Sequence, residues 1–197
     1  ITIANFNDTH TFNIGGSLTN NGVFDMNTGA DDRCNVVFNG SANQTVSGTG
    51  GTTDFYFIEI NNTGTANNNI VEISSTNFTA VADFLDEGGG ACGLVSGILK
   101  MSGTYSLTNT FFAVTGPTIN SDEGIWLNNP NVIISGQNGT TTLNGLIRIT
   151  AGTYNVGTSN NSLIWGNGAV FTMEGGALNV AARFAPSIAT STNSISF

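Results

Sequence analysis

The chain has 197 residues, with 26 glycines, 3 prolines, only 9% charged residues and a formal net charge of −9 from 13 acidic and 4 basic side chains. Four scattered cations cannot form the basic patch that displaces counterions from a nucleic acid, so nucleic-acid binding is excluded. No apolar run approaches the ~20 residues of a membrane-spanning helix, which argues against membrane insertion. Strong helix formers are sparse, whereas Thr, Val, Ile and Phe in short runs punctuated by Gly and Asn favour strands and turns. A hydrophobic fraction of 39% and 13 Phe supply an ordered core.

In chain order, ITIANFNDTHTFNIGG opens with short apolar alternations broken by Asn and Gly. Ile1 leads directly into repeat-like sequence, so residues 1–197 are expected to be a single β-helical domain, a piece of a longer repeat protein. Asn21-Gly22 is a turn signal, and a polar loop with Asp31, Asp32, Arg33 and Cys34 precedes the strand at Val36-Val37-Phe38. Further strands are expected at Phe55 to Ile60 and Ile70 to Ile73. Phe78 to Leu85 has a weak helical character and ends in the acidic loop Asp86-Glu87-Gly88-Gly89-Gly90.

The second half is organised around GLIRITAGTYNV at Gly145 to Val156. Related stretches are GILKMSGTYSL from Gly97, GIWLNNPNVII from Gly124 and GAVFTMEGGALNV from Gly168. Their first glycines lie about 27, 21 and 23 residues apart, a spacing typical of stacked-repeat folds. An apolar-polar-apolar triplet threads the whole chain: Phe24-Asp25-Met26, Ile58-Glu59-Ile60, Val71-Glu72-Ile73, Leu99-Lys100-Met101, Ile147-Arg148-Ile149 and Phe171-Thr172-Met173. Alternate strand residues point to opposite faces, so the outer two members should enter the core and the middle one should face solvent. The coil beginning at Gly145 should hold three short strands, Leu146–Ile149, Tyr154–Val156 and Ser162–Trp165. These features predict an all-β parallel β-helix, a solenoid of about eight ~24-residue coils with three short strands each. The alternative is a β-sandwich.

SLTNNGVFDM (Ser17 to Met26), FNGSANQTVSGTGGTTDFYFIEINNTG (Phe38 to Gly64), GTYNVG and GGALNVAARF resemble repeat regions of large secreted and cell-surface proteins of the Bacteroidota, adhesin-like and gliding-associated. The resemblance covers about two thirds of the chain. It implies a right-handed β-helix, an extracellular or cell-surface location, and export that often follows the type IX route, with that machinery as a partner. The C-terminal sorting domain of such proteins is not recognisable here. The family includes both non-enzymatic adhesins and enzymes with β-helical appendages.

The acidic pairs Asp31-Asp32, Asp86-Glu87 and Asp122-Glu123 fall in loops, where solvated surface charge is the plain interpretation. Hard cations take several oxygen ligands, and Asp83, Asp86 and Glu87 are the candidate calcium ligands; no other cofactor is expected. Lys100 and Arg148 occupy equivalent repeat positions, and Glu59 and Glu72 are expected on the same face. Such a face could serve a polysaccharide lyase or hydrolase, which needs converging carboxylates or a free base, or it could simply keep the strand soluble. His10, the sole histidine, has no nucleophile partner in any motif. Tyr105 and Tyr154 are expected in the core or at corners, and Trp126 is the candidate exposed platform for glycan contact. Cys34 and Cys92 could form a disulfide, although their separation suggests ~10–14 Å of stacking, beyond the ~7 Å Cα limit. The function expected is a non-catalytic structural or adhesive module contacting glycans or other cell-surface proteins. The alternative is a carbohydrate-active β-helix that binds or cleaves glycans.

Overall fold

A computed structural model describes residues 10–29, 32–80, 84–85, 92–104, 107, 110–136, 139–157, 160–187 and 193–197. Among these residues there are 20 strands and no helix. The strands stack in parallel as a β-solenoid of about 7 turns, the architecture of a parallel β-helix. Parallel pairing runs throughout, apart from one small antiparallel ladder of Asn27–Gly29 on Asp32–Phe38. A β-sandwich, built from antiparallel sheets, is therefore ruled out.

One stack runs the length of the described chain. Leu18–Thr19, Gln44–Ser47, Ile70–Ile73, the latter part of Leu94–Met101, the first part of Glu123–Ser135, the first part of Leu146–Asn155, Val170–Met173 and Ser194–Ser196 pair in that order. In the N-terminal half a second stack joins His10–Ile14, Asp32–Phe38, Phe57–Asn61 and the start of Leu94–Met101. Phe24–Asp25, Thr53–Phe55 and Phe78–Ala80 form another side. In the C-terminal half Thr118–Ile119, Thr141–Leu143, Leu163–Trp165 and Phe184–Pro186 stack together.

Register follows the apolar triplets and not the glycines. Leu99-Lys100-Met101 pairs with Ile125-Trp126-Leu127, then with Ile147-Arg148-Ile149, then with Phe171-Thr172-Met173. Gly97, by contrast, lies opposite Glu123, and Gly124 opposite Leu146. A one-residue slip would turn every buried side chain outward, so burial sets the register, whereas corner glycines tolerate coils of different length. Leu99, Met101, Ile147, Ile149 and Phe171 are buried as expected, and Val170 and Met173 are half-buried.

Two expectations change at the level of elements. The first two strands anticipated in the Gly145 coil are one ten-residue strand, Leu146–Asn155, which turns a corner at Gly152 (φ 98°). A side chain there would meet the carbonyls of Asn129 and Val132 at 2.8 Å. The segment from Phe78 to Leu85 is not helical where it is described. Phe78–Ala80 pairs in parallel with Thr53–Phe55, and Leu85 bridges Ile58 and Phe112. Coil-to-coil pairing and burial of Phe78, Phe84 and Leu85 override the local preference.

The N-terminal half of the core is a file of aromatic rings along the solenoid axis. Ring centroids step from Phe12 to Phe24 (5.9 Å), Phe55 (5.5 Å), Phe78 (5.2 Å), Phe84 (5.7 Å) and Phe111 (5.4 Å). Most of these contacts are edge-to-face, the geometry that the ring quadrupole favours.

Candidate functional site

The outward face of the long stack carries two side-chain columns. The first runs Thr45, Glu72, Lys100, Trp126, Arg148, Thr172. Trp126 takes a rung that Lys100 and Arg148 flank. The Lys100 ammonium lies 4.4 Å from the Trp126 ring centroid and the Arg148 guanidinium 4.3 Å, from the two neighbouring strands. The indole N–H donates to the Thr150 hydroxyl. Each cation also reaches a carboxylate: Lys100 Nζ is 3.0 Å from Glu72 Oε1, and Arg148 Nη2 is 2.8 Å from Glu174 Oε1. Burial pushes the Glu72 carboxyl up, but the Ser102 hydroxyl, donating at 2.5 Å, and Lys100 together outweigh it, so its pKa is lowered. Trp126 is thus half-buried and covered by cations, and does not present the bare stacking platform expected from its sequence position.

The second column runs Ile70, Ile98, Gly124, Leu146, Val170. It faces outward yet is apolar, and its four side chains are half-buried. Beside it lies a hollow of about 360 Å³, lined by Ile98, Leu146, Ala66, Asn69, Asp122 and Glu123 among others. Asp122 is exposed, but Glu123 is only 4% exposed, contrary to a solvated loop pair. The Asn120 amide donates to Glu123 Oε2 at 2.8 Å and the Asn120 side chain to Oε1 at 2.6 Å. Burial raises the Glu123 pKa, the Asn120 bonds lower it, and the Asp122 charge raises it further. The pattern Asn120-x-x-Glu123, a polar residue whose backbone a glutamate reaches back to cap, carried the signal for this turn.

Glu59 does not join the Glu72 column. It pairs in register with Val37 on the other stack, before the corner at Gly97 (φ 92°), and accepts from Asn61 at 3.1 Å. The two glutamates therefore lie on different sides of the solenoid and do not form a facing pair. No family model, curated protein or solved structure matches the chain.

A third side sets Asp25 in register with Asp54. Desolvation raises the Asp54 pKa, a Thr79 hydroxyl donating at 2.9 Å lowers it, and the Asp25 charge raises it again. With the folded pKa above the unfolded one, Asp54 contributes stability at acid pH that is lost as pH climbs from the ordinary carboxylate range through the raised value. Glu72 has the opposite sign, contributing above the ordinary range and losing that contribution as pH falls through its lowered value. Asp54→Asn keeps an acceptor for Thr79 and removes the repulsion. Near pH 7 it is expected to leave stability unchanged or raise it by up to ~1 kcal/mol, and to lose that advantage near pH 3. Thermal melts at both pH values check this; a variant less stable than the parent at pH 7 would refute the sign.

The remaining candidates fall as follows. Asp83, Asp86 and Glu87, the proposed calcium ligands, lie outside the described residues, as do Asp31 and Tyr105. Among the described residues no group of three His, Cys, Asp or Glu side chains is arranged to hold a metal. Cys34 and Cys92 are not joined in a disulfide. Cys34 is in the core on Asp32–Phe38, and Phe57–Asn61 lies between that strand and Leu94–Met101, which Cys92 precedes. The intervening strand explains why no bridge forms. His10 is exposed, opposite Cys34 in register. Tyr154 is a core residue whose phenol burial pushes up to about 12, with Thr141 at 3.5 Å as its hydrogen-bond partner.

Proposed function

We propose that the chain is a non-catalytic structural and adhesive β-helical module of a bacterial secreted or cell-surface protein. The observation that carries this reading is how the outward charges are used. Lys100 and Arg148 each bind a carboxylate and the Trp126 ring, so they tie coil to coil along the stack. Elimination chemistry needs a basic group free to take a proton, and glycoside hydrolysis needs two carboxyls facing each other about 5–10 Å apart. Here the cations are engaged and Glu59 and Glu72 face different ways. The extracellular location and type IX export rest on the resemblance carried by Ser17 to Gly64.

The chain, supplied with calcium for the Asp83, Asp86 and Glu87 loop, is to be incubated with neutral and acidic polysaccharides. No new reducing ends or unsaturated products are expected. Products that disappear in Glu72→Gln or Glu59→Gln would overturn the non-catalytic reading in favour of a carbohydrate-active enzyme.

A further inference from the structure

We propose that the hollow beside the apolar column is a binding site for one pyranose unit of a neutral glycan. This inference rests on the adhesive part of the function above and names its ligand and place. A solvated strand face should carry mainly polar side chains, as the neighbouring column does with Thr45, Glu72, Lys100, Arg148 and Thr172 around the single Trp126. The Ile70–Val170 column breaks that pattern with Ile98 and Leu146 on either side of Gly124. A Cβ at Gly124 would come within 2.9 Å of Leu146 Cβ and 3.1 Å of Ile98 Cγ1. The two aliphatic side chains therefore close over the glycine into an apolar floor. A sugar ring presents such a floor with a matching C–H face, while its hydroxyls need acceptors at the rim.

The rim supplies them. Asn67 and Ser121, both exposed, line the hollow together with Asn69. Asp122 adds an exposed carboxylate on the other wall, whereas the Glu123 carboxylate is already taken by Asn120. Among the described residues the lining holds no Lys or Arg, and the chain carries a net charge of −9, so uronates, sulfated sugars and phosphates are disfavoured. A hard cation is a poor match, since only one carboxylate of the described lining, Asp122, is not already engaged by a neighbour, and such ions usually take several oxygen ligands. The volume of about 360 Å³ lies at the small end of ligand pockets, which suits one sugar unit. The loop carrying Asn69 is held in place beforehand. Asn62 donates to Ala42 O and Gln44 Oε1 and accepts from the Gly64 amide, and the Ile70 amide donates to Asn43 Oδ1.

The test is calorimetric titration of the whole chain with cellotriose, maltotriose, mannotriose and chitotriose, and with trigalacturonate as the charged control. Saturation-transfer NMR locates the ring protons in contact. At least one neutral trisaccharide is expected to bind, with trigalacturonate at least tenfold weaker. Asp122→Ala, which removes the exposed rim acceptor, and Leu146→Ser, which strips the apolar floor, should each weaken binding at least tenfold, with unchanged circular dichroism confirming that both fold. Equal binding by the parent and both variants would overturn this site while leaving the adhesive reading intact. Failure to bind any neutral sugar, or calcium binding lost in Asp122→Asn without sugar binding, would also overturn it. Cleavage of the titrant would overturn the site and the non-catalytic reading together.

Discussion

Ile147→Asp is expected to unfold the coils around it, at a cost of more than ~4 kcal/mol. Ile147 is 1% exposed and stacks between Ile125 and Phe171 on the inner side of the long stack. A carboxylate there loses its hydration with no cation or donor in reach, since Arg148 points the opposite way and is engaged with Glu174. Set against a total stability of ~5–15 kcal/mol for a typical domain, this is a large fraction. The control is the next residue. Arg148→Ser removes an exposed ion pair worth ~0–1 kcal/mol and a cation–π contact worth ~0.5–1 kcal/mol, so about 2 kcal/mol is its upper limit. Urea titrations followed by circular dichroism measure both, and equal losses would contradict the assignment of faces.

Gly48→Ala should be nearly as damaging for a different physical reason. Gly48 has φ 121°, a region L side chains rarely adopt, and an added Cβ would sit 1.9 Å from the Asn20 carbonyl oxygen. That oxygen belongs to the neighbouring coil and cannot easily retreat. The Asn20 amide donates to Ser47 O at 2.8 Å, and its side chain donates to Thr52 O at 2.8 Å and to Thr53 Oγ1 at 2.9 Å. The methyl group must therefore pry two coils apart, and a loss of about 3 kcal/mol or more is expected. Gly16→Ala is the matched control, because nothing lies within 4 Å of the added atom and its φ is unremarkable. Hydrogen exchange at the Asn20 and Gly50 amides should report the opening. Similar unfolding midpoints for the two variants would show that close packing at this corner does not limit stability.

The sequence made the inner face legible but not the arrangement of the outer one. Apolar-polar-apolar triplets are local, so the burial of Leu99, Ile147 and Phe171 follows from alternation alone. The glycine period was a poorer guide, since it marks corners, and corners absorb differences in coil length. The offset along the triplets is 26 residues from Leu99 to Ile125, 22 from Ile125 to Ile147 and 24 from Ile147 to Phe171. Which outward residues meet depends on those offsets. Trp126 could be placed between two inward residues, Ile125 and Leu127, but its cover of Lys100 and Arg148 needed the register of three coils. Glu59 and Glu72 look equivalent in sequence, and only the corner at Gly97 separates their sides. The hollow escaped sequence reasoning because Asn69, Ile98, Asp122 and Leu146 belong to four successive coils and form no linear motif. The 13 Phe announced a large core without indicating that many of them would line up ring to ring.

The pairing of each strand with the coil before or after it also bears on the order in which the chain can fold. Ladder partners such as Phe12 and Val36, Ile98 and Gly124, or Leu163 and Phe184 are separated by a single turn of chain, and the longest described interval, Asn61 to Ser96, contains the acidic glycine loop. Apart from the small Asn27–Gly29 hairpin, every described strand pair is thus too distant to form like a hairpin, yet none must wait for the far end of the chain. Loop-closure entropy grows only slowly with length, so laying down the last turn costs about what the second one did. The costly event is the first pair of turns, which has no finished edge to template it. Once such a pair exists anywhere, growth can proceed from it in both directions, one rung at a time.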